Sequence, residues 1–147
     1  MRYLKLVGML LVVMVLSVAL SGCDGNGTTE ASSGLEMAPL SAMPQDIRRA
    51  PPVVRESYQF AIANPDIVQE IPCYCGCGAM GHQSSYNCYA EGTEAAGDLR
   101  YDGHALGCTI CVDITQDTMR LLQEGRSVDE IRAYVDQRYS KYGPPTP

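Results

Sequence analysis

Cys73, Cys75 and Cys77 place three thiols within five residues of this chain. A hydrophobic core uses cysteine as one small apolar residue among many, so packing alone does not explain this density. Pro72 fixes its own φ angle and disfavours helix in the residue before it, and Gly76 permits a tight turn. The spacing therefore predicts a loop that gathers sulfurs, which can bind a soft metal ion, pair as disulfides or exchange disulfides with a partner.

Further metal-ligating residues follow later in the chain: Cys88, Cys108, Cys111, His82 and His104. The Cys-x-x-Cys spacing of Cys108 and Cys111 is common in metal sites. The metal hypothesis takes the three clustered cysteines as primary ligands and Cys108 and Cys111 as the residues that close the site. Cys88 and His82 are additional candidates. Copper(I) prefers thiolate and thioether ligands, and tetrahedral zinc needs only four of these cysteine and histidine ligands, so the expected ion is copper(I) or zinc.

Two other hypotheses use the same six thiols. Three disulfides would give a stapled interaction domain, as in many small exported proteins. A disulfide within Cys-x-Cys is strained, however, so each clustered cysteine would need a partner among the three later ones. A redox role is also open, because the first turn of a helix that contains Cys111 stabilises a thiolate.

The N-terminus resembles a bacterial lipoprotein signal peptide. Arg2 and Lys5 precede an apolar run from Leu6 to Leu20, and Leu20-Ser21-Gly22-Cys23 is similar to a lipobox. About 15 apolar residues are too few to span a bilayer, which needs roughly 20. The resemblance implies that residues 1–22 are removed and that Cys23 carries a lipid. We therefore expect an extracytoplasmic protein anchored to the cell membrane through Cys23.

Composition divides the rest of the chain. Residues 23–50 are rich in glycine, serine, threonine and proline without an apolar period, which predicts a flexible tether. Residues 51–143 are long enough for one small cysteine-rich helical domain, and 144–147 form a short tail. The net charge of −6 argues against nucleic acid as a partner.

Helical patterns lie on both sides of the cysteine loop. The first pattern comprises Val53, Val54, Tyr58, Ala61 and Ile62, and Asn64 followed by Pro65 predicts a second helix start. Residues 78–107 are rich in glycine and are expected to be irregular. A helix over 110–124 should end at Gly125, and a capping box from Ser127 to Glu130 should start the last helix. The predicted fold class is mainly α: a small helical domain with a C-terminal antiparallel helical hairpin and an irregular loop region rich in glycine and cysteine.

Residues 72–77 match the signature of the PCYCGC-motif lipoproteins, a bacterial family without an established activity. The similarity runs from about Val53 to Tyr142 and includes Gly81-His82, Asn87-Cys88 and the segment from Gly107 to Asp113. The part from Cys108 to Tyr139 also resembles the CcmH-type thiol domain of cytochrome c maturation. That resemblance implies a small three-helix bundle whose Cys-x-x-Cys reduces or holds apocytochrome cysteines, although the domain has no counterpart of the triple-cysteine loop.

The sequence thus favours a lipoprotein that binds or transfers a soft metal ion. Its expected partners are the membrane, through Cys23, and a metal donor or acceptor. The alternatives are a thiol–disulfide protein in cytochrome or metal-centre assembly, which acts on a thiol partner, and the stapled interaction domain. No Ser/His/Asp arrangement, phosphate-binding loop or paired-carboxylate signature stands out, so a hydrolytic enzyme is not expected.

Overall fold

The computed structural model describes residues 34–93 and 98–147. The predicted signal peptide, the lipid attachment site Cys23 and the tether as far as residue 33 lie outside the described residues. Within them, helices make up most of the regular structure and are joined by one small sheet. The prediction of a mainly α protein is confirmed in this respect. In the same residues, no helix combines the length and the apolar character needed to cross a bilayer.

The helices are, in chain order, α1 (Gln45–Arg49), α2 (Pro52–Ala63), α3 (Pro65–Val68), α4 (His104–Gly107), α5 (Thr109–Gln123) and α6 (Val128–Tyr139). Short 3-10 turns occupy Leu40–Ala42, Cys77–Met80 and Ser85–Cys88. The buried face of helix α2 differs from the predicted apolar face: Val53 is 44% exposed, whereas Phe60 is fully buried. Asn64 is the N-cap residue of α3 and Pro65 is its first residue, as predicted, although the Asn64 side chain makes no capping hydrogen bond.

The packed structure begins before Pro51, the boundary that composition suggested. Met43 and Ile47, in the predicted tether, are 3% and 1% exposed and belong to the hydrophobic core. The Ala38 N–H also donates a hydrogen bond to the Gln59 carbonyl on α2, at 2.9 Å. Met43 and Ile47 are isolated apolar residues without a helical period, so their burial could not be predicted from the sequence. It depends on the neighbouring helix.

The glycine-rich region also contains regular structure. Strands β1 (Ala90–Thr93) and β2 (Leu99–Tyr101) pair in antiparallel orientation, with an irregularity between Ala90 and Gly92. The Asp102 N–H continues the pairing by donating to the Tyr89 carbonyl at 2.9 Å. The expectation of an irregular segment over 78–107 was therefore wrong for these residues. Strands this short, one with a glycine, carry too few side chains to show an alternating pattern.

The caps predicted between the two long C-terminal helices are present, at the end of α5 and the start of α6. Gly125 has a φ of +78°, which favours glycine, and its N–H closes the last turn of α5 on Leu122. The Ser127 hydroxyl accepts the Glu130 N–H, and the Glu130 carboxylate accepts the Ser127 N–H. The helices touch through the Tyr139 hydroxyl, which donates to Asp117 at 2.7 Å.

The C-terminal residues pack against the cysteine loop. Thr146 is 4% exposed, and its hydroxyl accepts a hydrogen bond from the Cys73 N–H at 3.0 Å. In return, the Thr146 N–H donates to the Cys73 carbonyl at 2.9 Å. The chain approaches the loop so closely at Gly143 that a Cβ there would lie 3.1 Å from the Tyr74 carbonyl oxygen. The segment expected as a tail thus holds the backbone of Cys73 on both sides.

Replacing Thr146 with valine is expected to loosen this contact. The exchange keeps the side-chain shape but leaves the buried Cys73 N–H without an acceptor, at a cost of about 1–3 kcal/mol in unfolding free energy. Urea unfolding under reducing conditions measures the loss, and hydrogen exchange at the Cys73 amide should accelerate. Thr146→Ser retains the hydroxyl and is the control. Equal exchange rates at Cys73 in both variants would contradict the contact.

Candidate metal centre

The loop of residues 72–77 is fixed by its neighbours rather than by a helix or strand of its own. The Ser85 N–H donates to the Ile71 carbonyl at 2.8 Å, and the Ser85 hydroxyl donates to the Pro72 carbonyl at 3.1 Å. Gly76 has a φ of +87°, a conformation that favours glycine, and it permits a tight turn between Cys75 and Cys77. The loop can therefore present its thiols on one side.

The opposite side of the site is the start of α5. Cys108 is the N-cap residue of this helix and Cys111 lies in its first turn, as predicted. The Tyr89 hydroxyl donates to the Cys111 carbonyl at 2.9 Å and lies 2.7 Å from the Thr115 hydroxyl. This buried tyrosine fixes the position of the first turn relative to the 3-10 turn that carries Cys88.

Cys111 lies at the centre of the thiol cluster. Its Sγ is 3.2 Å from that of Cys88 and 3.6 Å from those of Cys73 and Cys75. Two further pairs complete the contacts: Cys73 with Cys75 at 3.4 Å, and Cys77 with Cys88 at 3.7 Å. The sulfurs of a tetrahedral zinc site are about 3.8 Å apart, as follows from a Zn–S distance of about 2.3 Å. The cluster is therefore close to metal-binding dimensions.

All six cysteines in the described part of the chain are free thiols. The stapled interpretation required three disulfides among them, which the structure does not contain. The thiols instead form two sets of four mutually close donors. In each set the ligand atoms lie within 4.8 Å of one another: Cys73, Cys75, Cys77 and Cys88 in one, and Cys75, His104, Cys108 and Cys111 in the other. The convergence of all six cysteines gives the protein a possible metal-binding geometry.

His104 belongs to this cluster, although the sequence hypothesis favoured His82. The His104 Nε2 is 3.3 Å from the Cys75 Sγ. The two residues are far apart in sequence, and the only signal was a histidine beside a glycine in a cysteine-rich stretch. His104 reaches the cluster because the end of β2 and the Asp102 carboxylate, which accepts the His104 N–H at 2.6 Å, hold the start of α4 there.

His82 lies beside the cluster but in neither set of four donors. Its Nδ1 is 3.6 Å from the Cys88 Sγ, and its Nε2 is 3.8 Å from an Asp102 carboxylate oxygen. The His82 and His104 rings pack edge to face with centroids 5.3 Å apart. His82 is thus placed to orient the ligands around it.

The thiols shift one another's pKa values in opposite directions. Hydrogen bonds with Cys111 and Cys88 lower the pKa of Cys73, despite its burial. The contacts of Cys111 with Cys73 and Cys88, together with burial, raise the pKa of Cys111. Burial and the charge of Cys73 raise the pKa values of Cys75 and Cys77. The pKa of Cys88 is also raised, because its contact with Cys73 and its burial outweigh the effect of Cys111. Burial and mutual contacts therefore keep most of the cluster thiols protonated in the absence of metal.

Metal binding is expected to strengthen as the pH rises. Cysteine binds metal as a thiolate, so every ligand with a raised pKa must release a proton, and protons compete with the ion at low pH. Full loading should release at least four protons per chain, from Cys75, Cys77, Cys88 and Cys111. Zinc titration in weakly buffered solution with a pH indicator counts them. An affinity that is the same at about pH 6 and pH 8 would contradict this.

An open cavity of about 610 Å³ adjoins the histidine side of the cluster. Its walls include Met80, His82, Asn87, Glu91, Asp102 and His104. The Met80 side chain is 60% exposed and presents a thioether to this space. Thioether, imidazole and carboxylate groups thus line an open space beside the cluster.

The fold and this site define a small, cysteine-rich helical protein with a candidate metal centre. The family profile described as "Protein of unknown function with PCYCGC motif" matches residues 12–147. The chain belongs to this family, which confirms the resemblance to the PCYCGC-motif proteins. Comparison with curated proteins and with solved structures gave no match.

Proposed function

We propose that this protein binds a soft metal ion, copper(I) or zinc, through its cysteine cluster and passes the ion to a partner. The observation that carries the proposal is the convergence of six free thiols and His104 in two sets of ligand atoms, each within 4.8 Å of one another. Thiolate and imidazole are the donors that copper(I) and zinc prefer. The proposed ligands are His104 and six cysteines: Cys73, Cys75, Cys77, Cys88, Cys108 and Cys111. His82 lies next to these ligands and helps to orient them.

The buried position of the thiols favours tight binding, and the cavity beside them favours exchange. Cys73, Cys77, Cys88 and Cys111 are buried, which excludes water from the proposed ligands. Cys75, Cys108 and His104 are half-buried on the open side. An ion can therefore enter or leave by exchanging ligands with His82, Met80 or a partner's own donor groups, without the fold opening.

The proposal places the protein on the outer face of the cell membrane, held by lipid on Cys23. Support comes from the N-terminal sequence, in which a basic start, a short apolar run and Leu20-Ser21-Gly22-Cys23 occur together.

The short link between α5 and α6 supports the predicted antiparallel pairing of these helices, as do the contacts of Asp117 with Tyr139 and of Arg120 with Tyr134. A helical pair of this kind would give the first turn of α5 a rigid base.

Intact-mass spectrometry of the purified full-length chain tests the proposed function. The reduced protein is incubated with copper(I) or zinc, and its mass is measured under native and then denaturing conditions. We expect a stoichiometric metal adduct that disappears on denaturation and leaves the thiols free. Prior alkylation of the cysteines should abolish the adduct and serves as the control. A reduced chain that binds no stoichiometric metal would refute the proposal.

A thiol–disulfide role is the second candidate, and the position of Cys108 favours it. Cys108 is half-buried at the start of α5 and lines a shallow cavity of about 320 Å³ with Val53 and Leu106. The raised pKa of Cys111 opposes nucleophilic attack by that residue, so Cys108 would have to attack and Cys111 resolve. A loss of about two hydrogen masses in the protein as isolated, mapped to these two residues, would favour this role.

A further inference from the structure

We propose that the cluster holds two metal ions bridged by the Cys75 thiolate, with His104 as the nitrogen ligand of the second ion. The inference rests on the proposed function and specifies the stoichiometry and ligands of the same site. It follows from how the donors divide. Both sets of four mutually close ligand atoms are complete on their own, and Cys75 is the residue that they share.

The number of donors agrees with a bridged pair. Two four-coordinate ions that share one ligand need about seven donors in all, since zinc sites are almost always tetrahedral. The six cysteines and His104 are the members of the two sets. A single ion would use four of them and leave three further donors beside it.

The contacts of Cys75 support its bridging position. Its Sγ lies 3.4 Å from Cys73 in the first set, and 3.6 Å from Cys111 and 3.3 Å from the His104 Nε2 in the second. A thiolate has several lone pairs and can bind two soft ions at once, as in polynuclear clusters. Gly76, directly after it, gives the loop the turn that leaves Cys75 between the two sets.

The two ions would differ in access to solvent. In the first set Cys73, Cys77 and Cys88 are buried, so its ion is enclosed. In the second set Cys75, Cys108 and His104 are half-buried, and His104 lines the open cavity. The second ion is therefore the one available for exchange with a partner, and the first supports the loop.

Cadmium-113 tests the bridge directly, because cadmium prefers the same ligands as zinc and its nucleus is visible by NMR. The full-length chain is loaded with ¹¹³Cd²⁺, its bound cadmium is counted by native mass spectrometry, and its cadmium spectrum is recorded. We expect two ions per chain and two resonances at different shifts, one from four sulfurs and one from three sulfurs and a nitrogen. The bridging sulfur should couple the two signals.

Other results would separate the inference from the proposed function. No bound cadmium would overturn both. One ion per chain, more than two, or two resonances without coupling would overturn the bridged pair and leave metal binding intact. Each of these outcomes is read from the wild-type protein, so none depends on a variant that fails to fold.

The wall of the open cavity provides a pair of variants. His104→Asn is expected to shift or abolish one cadmium resonance and leave the other in place. Glu91→Gln changes a side chain on the same cavity wall that belongs to neither set of donors, and should retain two coupled resonances. If the two variants behave alike, His104 is not the nitrogen ligand.

Discussion

Replacing Cys111 with serine is expected to lower metal affinity by more than about 100-fold, because loss of an outer-shell partner alone costs about 10–100-fold and this residue is a proposed ligand. Cys111 contacts three of the other five cluster thiols, at 3.2–3.6 Å. Serine keeps the size of the side chain but replaces a soft sulfur with a hard oxygen, which copper(I) disfavours and which is a weak ligand for zinc. Competition with a chromophoric chelator measures the change.

Cys23→Ser is the control for this variant, since it makes the same exchange at the one cysteine outside the cluster proposal. We expect the affinity of that chain to be unchanged. Circular dichroism of both metal-free variants checks that the helices are retained. If Cys111→Ser bound metal as tightly as the control, the assignment of Cys111 as a ligand would be wrong.

Replacing Tyr89 with alanine is expected to lower the free energy of unfolding by about 3–5 kcal/mol, the range for loss of a buried aromatic ring. Tyr89 is fully buried, and its ring packs edge to face on Tyr58 with centroids 4.9 Å apart. Burial also raises the pKa of Tyr89, which keeps its hydroxyl protonated and able to donate to the Cys111 carbonyl. Since folded domains are stable by only about 5–15 kcal/mol, this loss is a large share of the total.

Tyr89→Phe separates the ring from the hydroxyl. We expect a loss of about 1 kcal/mol, because the Thr115 hydroxyl can turn to the Cys111 carbonyl one helical turn earlier and replace the missing partner. Urea unfolding of both metal-free variants in reductant gives the two values. Equal losses would show that the hydroxyl, and not ring packing, dominates at this position. Metal titration of Tyr89→Phe then measures how much metal affinity depends on the Tyr89 hydroxyl, which positions Cys111.

Much of the local structure followed from residue types. The helix start at Pro65, the end at Gly125 and the capping box at Ser127 each depend on backbone preferences over a few residues. The same holds for the loop between Pro72 and Gly76. The fixed φ angle of Pro72 and the positive φ angle that Gly76 can adopt favour a turn there, whatever the core around it. These signals are local: each lies within the segment whose structure it predicts.

The packing of residues 35–50 could not be predicted in this way. Met43 and Ile47 stand in a stretch whose composition resembles a tether, and only the apolar surface they cover makes them core residues. The short strands around Gly92 escaped prediction for a similar reason, because their pairing is with each other and leaves little pattern in either.

The residue types define the chemistry of this protein: which thiols and imidazoles it offers, and the loop and helix start that carry most of them. Which of these groups meet depends on the packing of the whole domain. Cys75 and His104 are 29 residues apart, and Cys73 and Thr146 are separated by 73. Contacts over such distances depend on how the whole core closes, because no local preference encodes them. For that reason the candidate ligand residues could be predicted from the sequence, whereas their division into two sets that share Cys75 could not.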